Sequence, residues 1–163
     1  MTKVSTNMAP GPSEGRKSSG QFSTFAVADL VFGVDVLHVQ EVLRVQPMTA
    51  VPQAPDVVEG LINLRGQIVT AIDMRRRLRL PARTGDKPPM NVVVRTLDGA
   101  VSLLVDEIGD VLHLDESAYE RPPENLGGVA RELIRGVYKL KDRLLLVLDE
   151  ERTADLAVGR PAQ

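Results

Sequence analysis

Along this chain the apolar positions come in short alternating blocks separated by turn-forming residues, a pattern that predicts half-buried strands. Phe22 to Val31 reads as a strand broken by a turn near Ala28-Asp29, and Phe32, Val34 and Val36 then alternate with Gly33 and Asp35. From Val36 to Leu43 the apolar residues fall at helical intervals, which predicts a short helical turn showing His38 and Glu41 to solvent. A strand from Leu43 to Val51, interrupted by Pro47, is expected next, and then a helical turn over Pro55 to Glu59 that ends at Gly60. Leu61 to Val69 places apolar residues on both sides of Arg65-Gly66 and predicts a hairpin. The near-continuous apolar run from Ile68 to Ile72 predicts a central strand, after which Asp73 caps a short helix from Met74 to Leu80.

Residues 81–90 hold three Pro and one Gly and read as a connector. Beyond it, Asn91 to Arg95 and Val101 to Asp106 flank an Asp98-Gly99 turn, a strong hairpin signal. Asp110 to Leu114 is a further strand, 116–130 a long loop, and Ile134 to Leu140 with Arg143 to Leu148 a closing hairpin around Lys141-Asp142. Asp149 starts a C-terminal helix that runs to about Ala157.

The chain repeats itself. Gly60, Leu64, Gly66, Ile68, Ile72 and Asp73 recur as Gly136, Leu140, Asp142, Leu144, Leu148 and Asp149, at a shift of 76 residues. Val36, Val39, Glu41, Val42 and Leu43 recur as Val105, Ile108, Asp110, Val111 and Leu112, at a shift of 69. The difference is a net insertion of 7 residues between Leu112 and Gly136. Short strands, linked by hairpins and written twice, indicate an all-β protein of two small barrels or rolls. Each unit of about 60 residues is marginal alone, so the two are expected to share a core, with a groove between them as the natural binding place. The expected division is a disordered tail over 1–20, a domain over 21–157 with a first barrel at about 22–80 and a second at about 91–150, and a C-terminal tail over 158–163.

Composition narrows the function classes. The chain has 163 residues, no Cys and no Trp, so thiol chemistry, disulfides and thiolate metal sites are excluded. Its first twenty residues lack the apolar run of a signal peptide. No stretch approaches the roughly 18 apolar residues of a membrane span, so the expected location is cytoplasmic, without direct membrane insertion. With 20 basic and 22 acidic residues the net charge is −2, which provides no global field for nucleic acid.

Candidate chemistry is sparse. Asp106-Glu107 follows an apolar strand as a metal-binding acidic pair would, yet no phosphate-binding Gly-rich loop accompanies it. His38 and His113 have no partner at ligand spacing and read as surface residues. Arg75, Arg76, Arg77 and Arg79 form the one basic cluster. It reads as a solvated helix face, with a nucleic-acid-binding double barrel as the alternative. Arg65 stands out at a hairpin tip before a Gly, where its planar fork of donors suits a carboxylate such as Glu41 beside a partner groove. No catalytic residue, cofactor or metal is expected.

At these residues the chain resembles the CheW family of chemotaxis coupling proteins. The likeness rests on Phe32-Gly33-Val34-Asp35-Val36, Val39-Gln40-Glu41-Val42, Val51-Pro52, Gly60-Leu61-Ile62-Asn63-Leu64-Arg65-Gly66 and Ile72-Asp73-Met74-Arg75. In the second half it rests on Leu104 to Ile108, Ile134 to Val137 and Leu144 to Asp149. The resemblance implies two five-stranded SH3-like β-barrels packed together, with a short C-terminal helix. It also implies a non-catalytic adaptor in two-component signalling, joining the cytoplasmic tip of a methyl-accepting chemoreceptor to the regulatory domain of the histidine kinase CheA. The receptor contacts it implies are Val39, Glu41, Arg65 and Gly66, with Leu61 and Asn63 in a partner groove, and the implied location is receptor–kinase arrays.

Overall fold

The computed structural model describes residues 19–156. Of the expected tail over 1–20, residues 1–18 lie outside the described residues, as do the expected tail over 158–163 and the helix end at Ala157, while Ser19 donates to the Asp35 carboxylate. Among the described residues eleven strands form two mixed sheets. In chain order they are β1 (Gln21–Val27), β2 (Leu30–Asp35), β3 (Val39–Arg44), β4 (Val58–Leu64), β5 (Gln67–Asp73), β6 (Met90–Thr96), β7 (Gly99–Val105), β8 (Glu107–His113), β9 (Tyr119–Glu120), β10 (Ile134–Lys139) and β11 (Leu144–Leu148). Three short helices accompany them: α1 (Met74–Arg77), α2 (Gly128–Glu132) and α3 (Glu150–Ala154).

The six-stranded sheet runs β8-β1-β2-β11-β10-β9 and the five-stranded sheet β3-β6-β7-β5-β4. Strand by strand the orders correspond. In each sheet an edge strand pairs antiparallel with a hairpin, whose second strand pairs parallel with the end of a second hairpin. The sequence repeat is therefore a structural repeat of hairpin, single strand, hairpin and capped helix. The expected division at 22–80 and 91–150 does not follow the sheets, however. The β1–β2 hairpin of the first copy joins β8 and β11 of the second, and the β6–β7 hairpin of the second joins β3 and β5 of the first. Each copy completes the other's sheet.

The sheets curl without closing into continuous hydrogen-bonded barrels. Strands β8 and β9 stand at opposite ends of their sheet, which if flat would be about 24 Å wide. Only residues 114–118 join them, a reach of about 20 Å at full extension, and three of the five form a 3-10 turn at Glu116–Ala118. The sheet has to roll. In the five-stranded sheet the chain after β3 bends back instead, and Thr49 exchanges backbone hydrogen bonds of 2.9 and 2.8 Å with Leu61 of β4. That single bridge replaces the expected strand from Leu43 to Val51. The helical reading of Val36 to Leu43 holds only for Val36–His38, a 3-10 turn capped by Asp35; β3 occupies the rest. The expected helical turn at Pro55 to Glu59 gives way to β4 from Val58, and α1 stops at Arg77, short of Leu80. The loop over 116–130 carries β9 and the start of α2.

Three apolar clusters hold these parts. Phe22, Tyr138, Leu145 and Val147 fill the six-stranded curl. Ile62, Leu64, Val69, Ala71, Val93 and Leu104 fill the five-stranded one. The largest cluster lies between the sheets, where Phe25, Val27, Phe32 and Val34 meet Ile72, Val92, Val94, Leu103 and Val105. This is the expected shared core. Strand β6 is covered on both faces, which is why Val92, Val93 and Val94 are consecutive and all fully buried.

Polar pins reinforce the shared core. Arg77 is 4% exposed, not on a solvated face, and donates from α1 to the carbonyls of Arg152, Thr153 and Asp155 at the end of α3. Burial lowers its guanidinium from the ordinary value, but Arg remains charged. Asp106, between β7 and β8, accepts from Ala28 N of the β1–β2 turn, from Arg75 of α1 and from Arg83 of the connector. Burial opposes its charge, yet these hydrogen bonds prevail and hold its carboxyl at about 2.

Two predictions follow from this geometry. A methyl at Gly60 would lie 2.7 Å from the Thr49 carbonyl, and one at Gly136 would lie 2.6 Å from the Glu120 carbonyl, because the returning chain crosses directly over each. Gly60→Ala and Gly136→Ala are expected to cost about 2–4 kcal/mol in urea unfolding. Gly127→Ala, which meets nothing within 4 Å, should be close to neutral. Equal stability of all three variants would refute the crossing. For Asp106, a depressed carboxyl contributes stability above the ordinary 3.8 and loses it as pH falls through about 2. The wild type should lose roughly 2 kcal/mol over that window beyond what Asp106→Asn loses, and parallel profiles for the two proteins would remove Asp106 from the account.

Candidate functional site

The β4–β5 hairpin turns on two residues, Arg65 (φ +52°) and Gly66 (φ +91°). Two positive φ values in a two-residue loop match the twist of the flanking strands, and Gly takes such an angle freely. For Arg the left-handed conformation costs roughly 1 kcal/mol, so something must hold it. Asn63 does part of this, accepting from Gly66 N at 2.8 Å. Strand β3, at the far edge of the curled sheet, does the rest: Glu41 pairs with the Arg65 guanidinium, and Gln40 Nε2 donates to Gln67 Oε1 at 3.2 Å. The seam between the two edges is thus closed by side chains at this end and by the Thr49 bridge further along.

The ion pair is lopsided in exposure. Arg65 is 72% exposed along its side chain and Glu41 only 20%. The guanidinium is therefore presented outward from a carboxylate anchored in the seam. An exposed pair of this kind adds about 0.2–1 kcal/mol to stability, too little to explain a strained Arg in a tight turn. The same positive φ occurs at Ala28, Gln53 and Arg79, so what sets Arg65 apart is its ion pair across the seam. Val42 and Ile68 are both exposed apolar side chains, the first on the β3 edge and the second on β5, one strand in from the β4 edge.

The six residues expected from the sequence are partly gathered here. Glu41, Arg65, Gly66 and Asn63 form one hydrogen-bonded group. Val39 is half-buried and leans on the shared core. Leu61 is half-buried with its backbone occupied by Thr49. A cavity of about 510 Å³ opens elsewhere on this sheet, and none of the six lines it. The second copy does not reproduce the site. Asp110 and Lys141 stand where Glu41 and Arg65 stand, but among the described residues they form no ion pair. Sequence reasoning missed Gln40 and Gln67, which carried no signal beyond polarity at two strand positions.

The rival chemistries dissolve into structure. Asp106 belongs to the pin described above, and Glu107 pairs with Lys87 at 3.1 Å. Among the described residues no group of His, Asp and Glu is placed to hold a metal. Arg75 is bound to Asp106, Arg76 pairs with Glu59, Arg77 is buried and Arg79 is exposed, so the four arginines do not share one open basic face. His38 is also not free on the surface: its side chain is 20% exposed, with Nδ1 3.3 Å from the buried Glu150. His113 is exposed, as expected. No described helix is long and apolar enough to cross a membrane.

Relatives with this architecture are known. The chain is 31% identical over 133 residues to a chemotaxis protein CheW of Treponema pallidum, covering 79% of this chain and 78% of that one. It is 30% identical over 139 residues to a chemotaxis protein CheW of Bacillus subtilis, covering 85% and 89%. Protein FrzA of Myxococcus xanthus is 31% identical over 119 residues, covering 72% of each chain. Among solved structures, the scaffolding protein TtCheW of Thermoanaerobacter tengcongensis superposes with a TM-score of 0.73 at 29% identity, over 79% of this chain and 88% of that one. The family model described as the CheW-like domain matches residues 21–157, nearly the whole described chain with both curled sheets and the Arg65 seam, and the protein belongs to the CheW-like domain family.

Proposed function

We propose that this protein is a non-catalytic chemotaxis scaffold that couples the cytoplasmic tip of a methyl-accepting chemoreceptor to the regulatory domain of the histidine kinase CheA. The observation that carries the reading is the Arg65–Glu41 seam: a strained, outward-facing guanidinium held on a buried-edge carboxylate, in one copy of the repeat only. Chemotaxis and scaffolding names among the relatives support the setting. In this reading the protein works in the cytoplasm at receptor–kinase arrays. Val39, Glu41, Arg65 and Gly66 meet the receptor, with Leu61 and Asn63 beside them. The six- and five-stranded curled sheets stand in for the two five-stranded SH3-like barrels expected from the sequence, and the kinase domain docks barrel against barrel.

The mechanism makes and breaks no covalent bond. Arg65 offers its free donors to a carboxylate or to backbone carbonyls on a receptor helix, and the exposed Val42 and Ile68 contribute apolar contact. Each contact is modest, near −8 kcal/mol for a micromolar affinity. Repetition of the contact in an array gives the assembly its strength. Because the polar pins and the shared core make the body rigid, a shift at one face changes the population of arrangements at the other.

Arg65→Glu is expected to weaken pull-down of a receptor cytoplasmic fragment at least tenfold. The melting temperature and kinase capture should be left unchanged. Retained receptor capture would take Arg65 out of the site, and loss of the kinase as well would place the kinase face there instead. In a double-mutant cycle on receptor binding, Glu41→Ala and Arg65→Ala should show coupling of about 1 kcal/mol or more; strictly additive effects would separate the pair functionally.

A further inference from the structure

The two copies of the repeat are joined by one covalent connection. Strands β1 to β5 with α1 make up the first half, β6 to β11 with α2 and α3 the second, and residues 78–89 link them. Four strand pairings cross from half to half: β1–β8, β2–β11, β3–β6 and β5–β7. The polar pins cross as well, Arg77 to carbonyls at the end of α3 and Arg75 to Asp106. Each half therefore needs a partner half, and nothing in these pairings requires the two to lie on one chain.

The connector is long for the gap it closes. Asp73, where α1 begins, and Asn91 both stand opposite Leu104, one on each side of β7. The two halves thus end about 10 Å apart, across two strand spacings, and α1 adds one turn of about 6 Å. The twelve residues from 78 to 89 reach about 40 Å at full extension. The surplus is folded back in a bend. Gly85 takes φ +86° there, with nothing within 4 Å of where a Cβ would stand, and residues 84–88 are all exposed. Beyond the bend, Pro88 and Pro89 favour an extended chain. Two ion pairs, Arg83 with Asp106 and Lys87 with Glu107, tie the bend down. No strand lies within the connector, so opening it breaks no strand pairing.

We propose that two copies of this chain trade halves about Gly85, giving a dimer that keeps every strand pairing of the monomer but makes the four crossing ones between chains. In that dimer each five-stranded sheet takes β3, β4 and β5 from one chain and β6 and β7 from the other. Glu41 and Arg65 both belong to the first half, so each seam survives and the dimer presents two. This exchange does not depend on what the seam binds. The halves must separate before they trade, so the proportions are set while the chain folds. Concentration then decides whether a half meets its own partner or another chain's.

The full chain, unfolded in urea and refolded at about 5 and about 500 μM, is sized by chromatography with light scattering. A dimer is expected, with a dimer-to-monomer ratio at least tenfold larger at the higher concentration. Gly85→Pro, whose ring fixes φ near −65° and forbids the bend, is expected to enlarge the dimer share at both concentrations. The chain has no Cys, so an introduced pair traces the exchange directly. Gln21 of β1 and His113 of β8 are exposed and opposite each other, one from each half. Opposed residues of an antiparallel pair lie within disulfide range. When the Gln21→Cys/His113→Cys variant is oxidised after sizing, its dimer fraction is expected to run as a covalent dimer on a non-reducing gel, and its monomer fraction as a single chain. A dimer fraction that runs as single chains has formed by surface contact without exchange and overturns the proposal. So does a wild type that stays monomeric at the higher concentration, whatever Gly85→Pro does. A folded Gly85→Pro with no larger dimer share overturns the hinge at Gly85.

Discussion

Burial of apolar side chains between the two sheets is the constraint on which everything else rests. Neither sheet has enough strands of its own to present a complete face to that core. Phe25, Val27, Phe32 and Val34 come from a hairpin encoded at the start of the chain, yet they sit in the sheet otherwise built by its second half. Val92, Val94, Leu103 and Val105 make the reciprocal trip. Because each half lends a hairpin to the other, the core forms only when both copies are present. A body assembled in this way resists independent motion of its parts, which suits a protein whose work is to hold others in register.

The polar pins belong to the same logic. Arg77 and Thr153 are repeat mates, 76 positions apart, and they touch where α1 meets α3. Asp106 ties the β1–β2 turn, α1 and the connector to the crossing from one sheet to the other. These groups take up Asp106 of the acidic pair and Arg75 and Arg77 of the arginine cluster. The Arg65 turn is exposed, with a positive φ that Ala28, Gln53 and Arg79 share, and it lies on the seam where one curled sheet almost closes.

Duplication also shows where the copies have diverged. The crossing of the chain over Gly60 and over Gly136 is common to both, so both glycines persist. The ion pair across the seam is not common. Glu41 and Arg65 meet, while the shorter Asp110 and Lys141, whose ammonium lacks the guanidinium fork, do not. One copy thereby carries the ion-paired seam and the other does not.

The turn at Ala28-Asp29, the hairpins around Arg65-Gly66, Asp98-Gly99 and Lys141-Asp142, the caps at Asp73 and Asp149 and the duplication itself were legible in the sequence, because turns, caps and period-two alternation are fixed by neighbours within a few residues. So was the pairing of Glu41 with Arg65, since the chemistry of a fork and a carboxylate is local knowledge once the hairpin tip is placed. The sheet to which each hairpin belongs was not legible, because strand partners are chosen by shared burial far along the chain. For the same reason the helical spacing of Val36, Val39 and Val42 misled: a bulge between Val39 and Glu41 against β6 mimics a helical interval. The fates of Asp106, Arg77 and His38 likewise depended on which distant backbone and charges the tertiary fold brought beside them, and no local pattern encodes that.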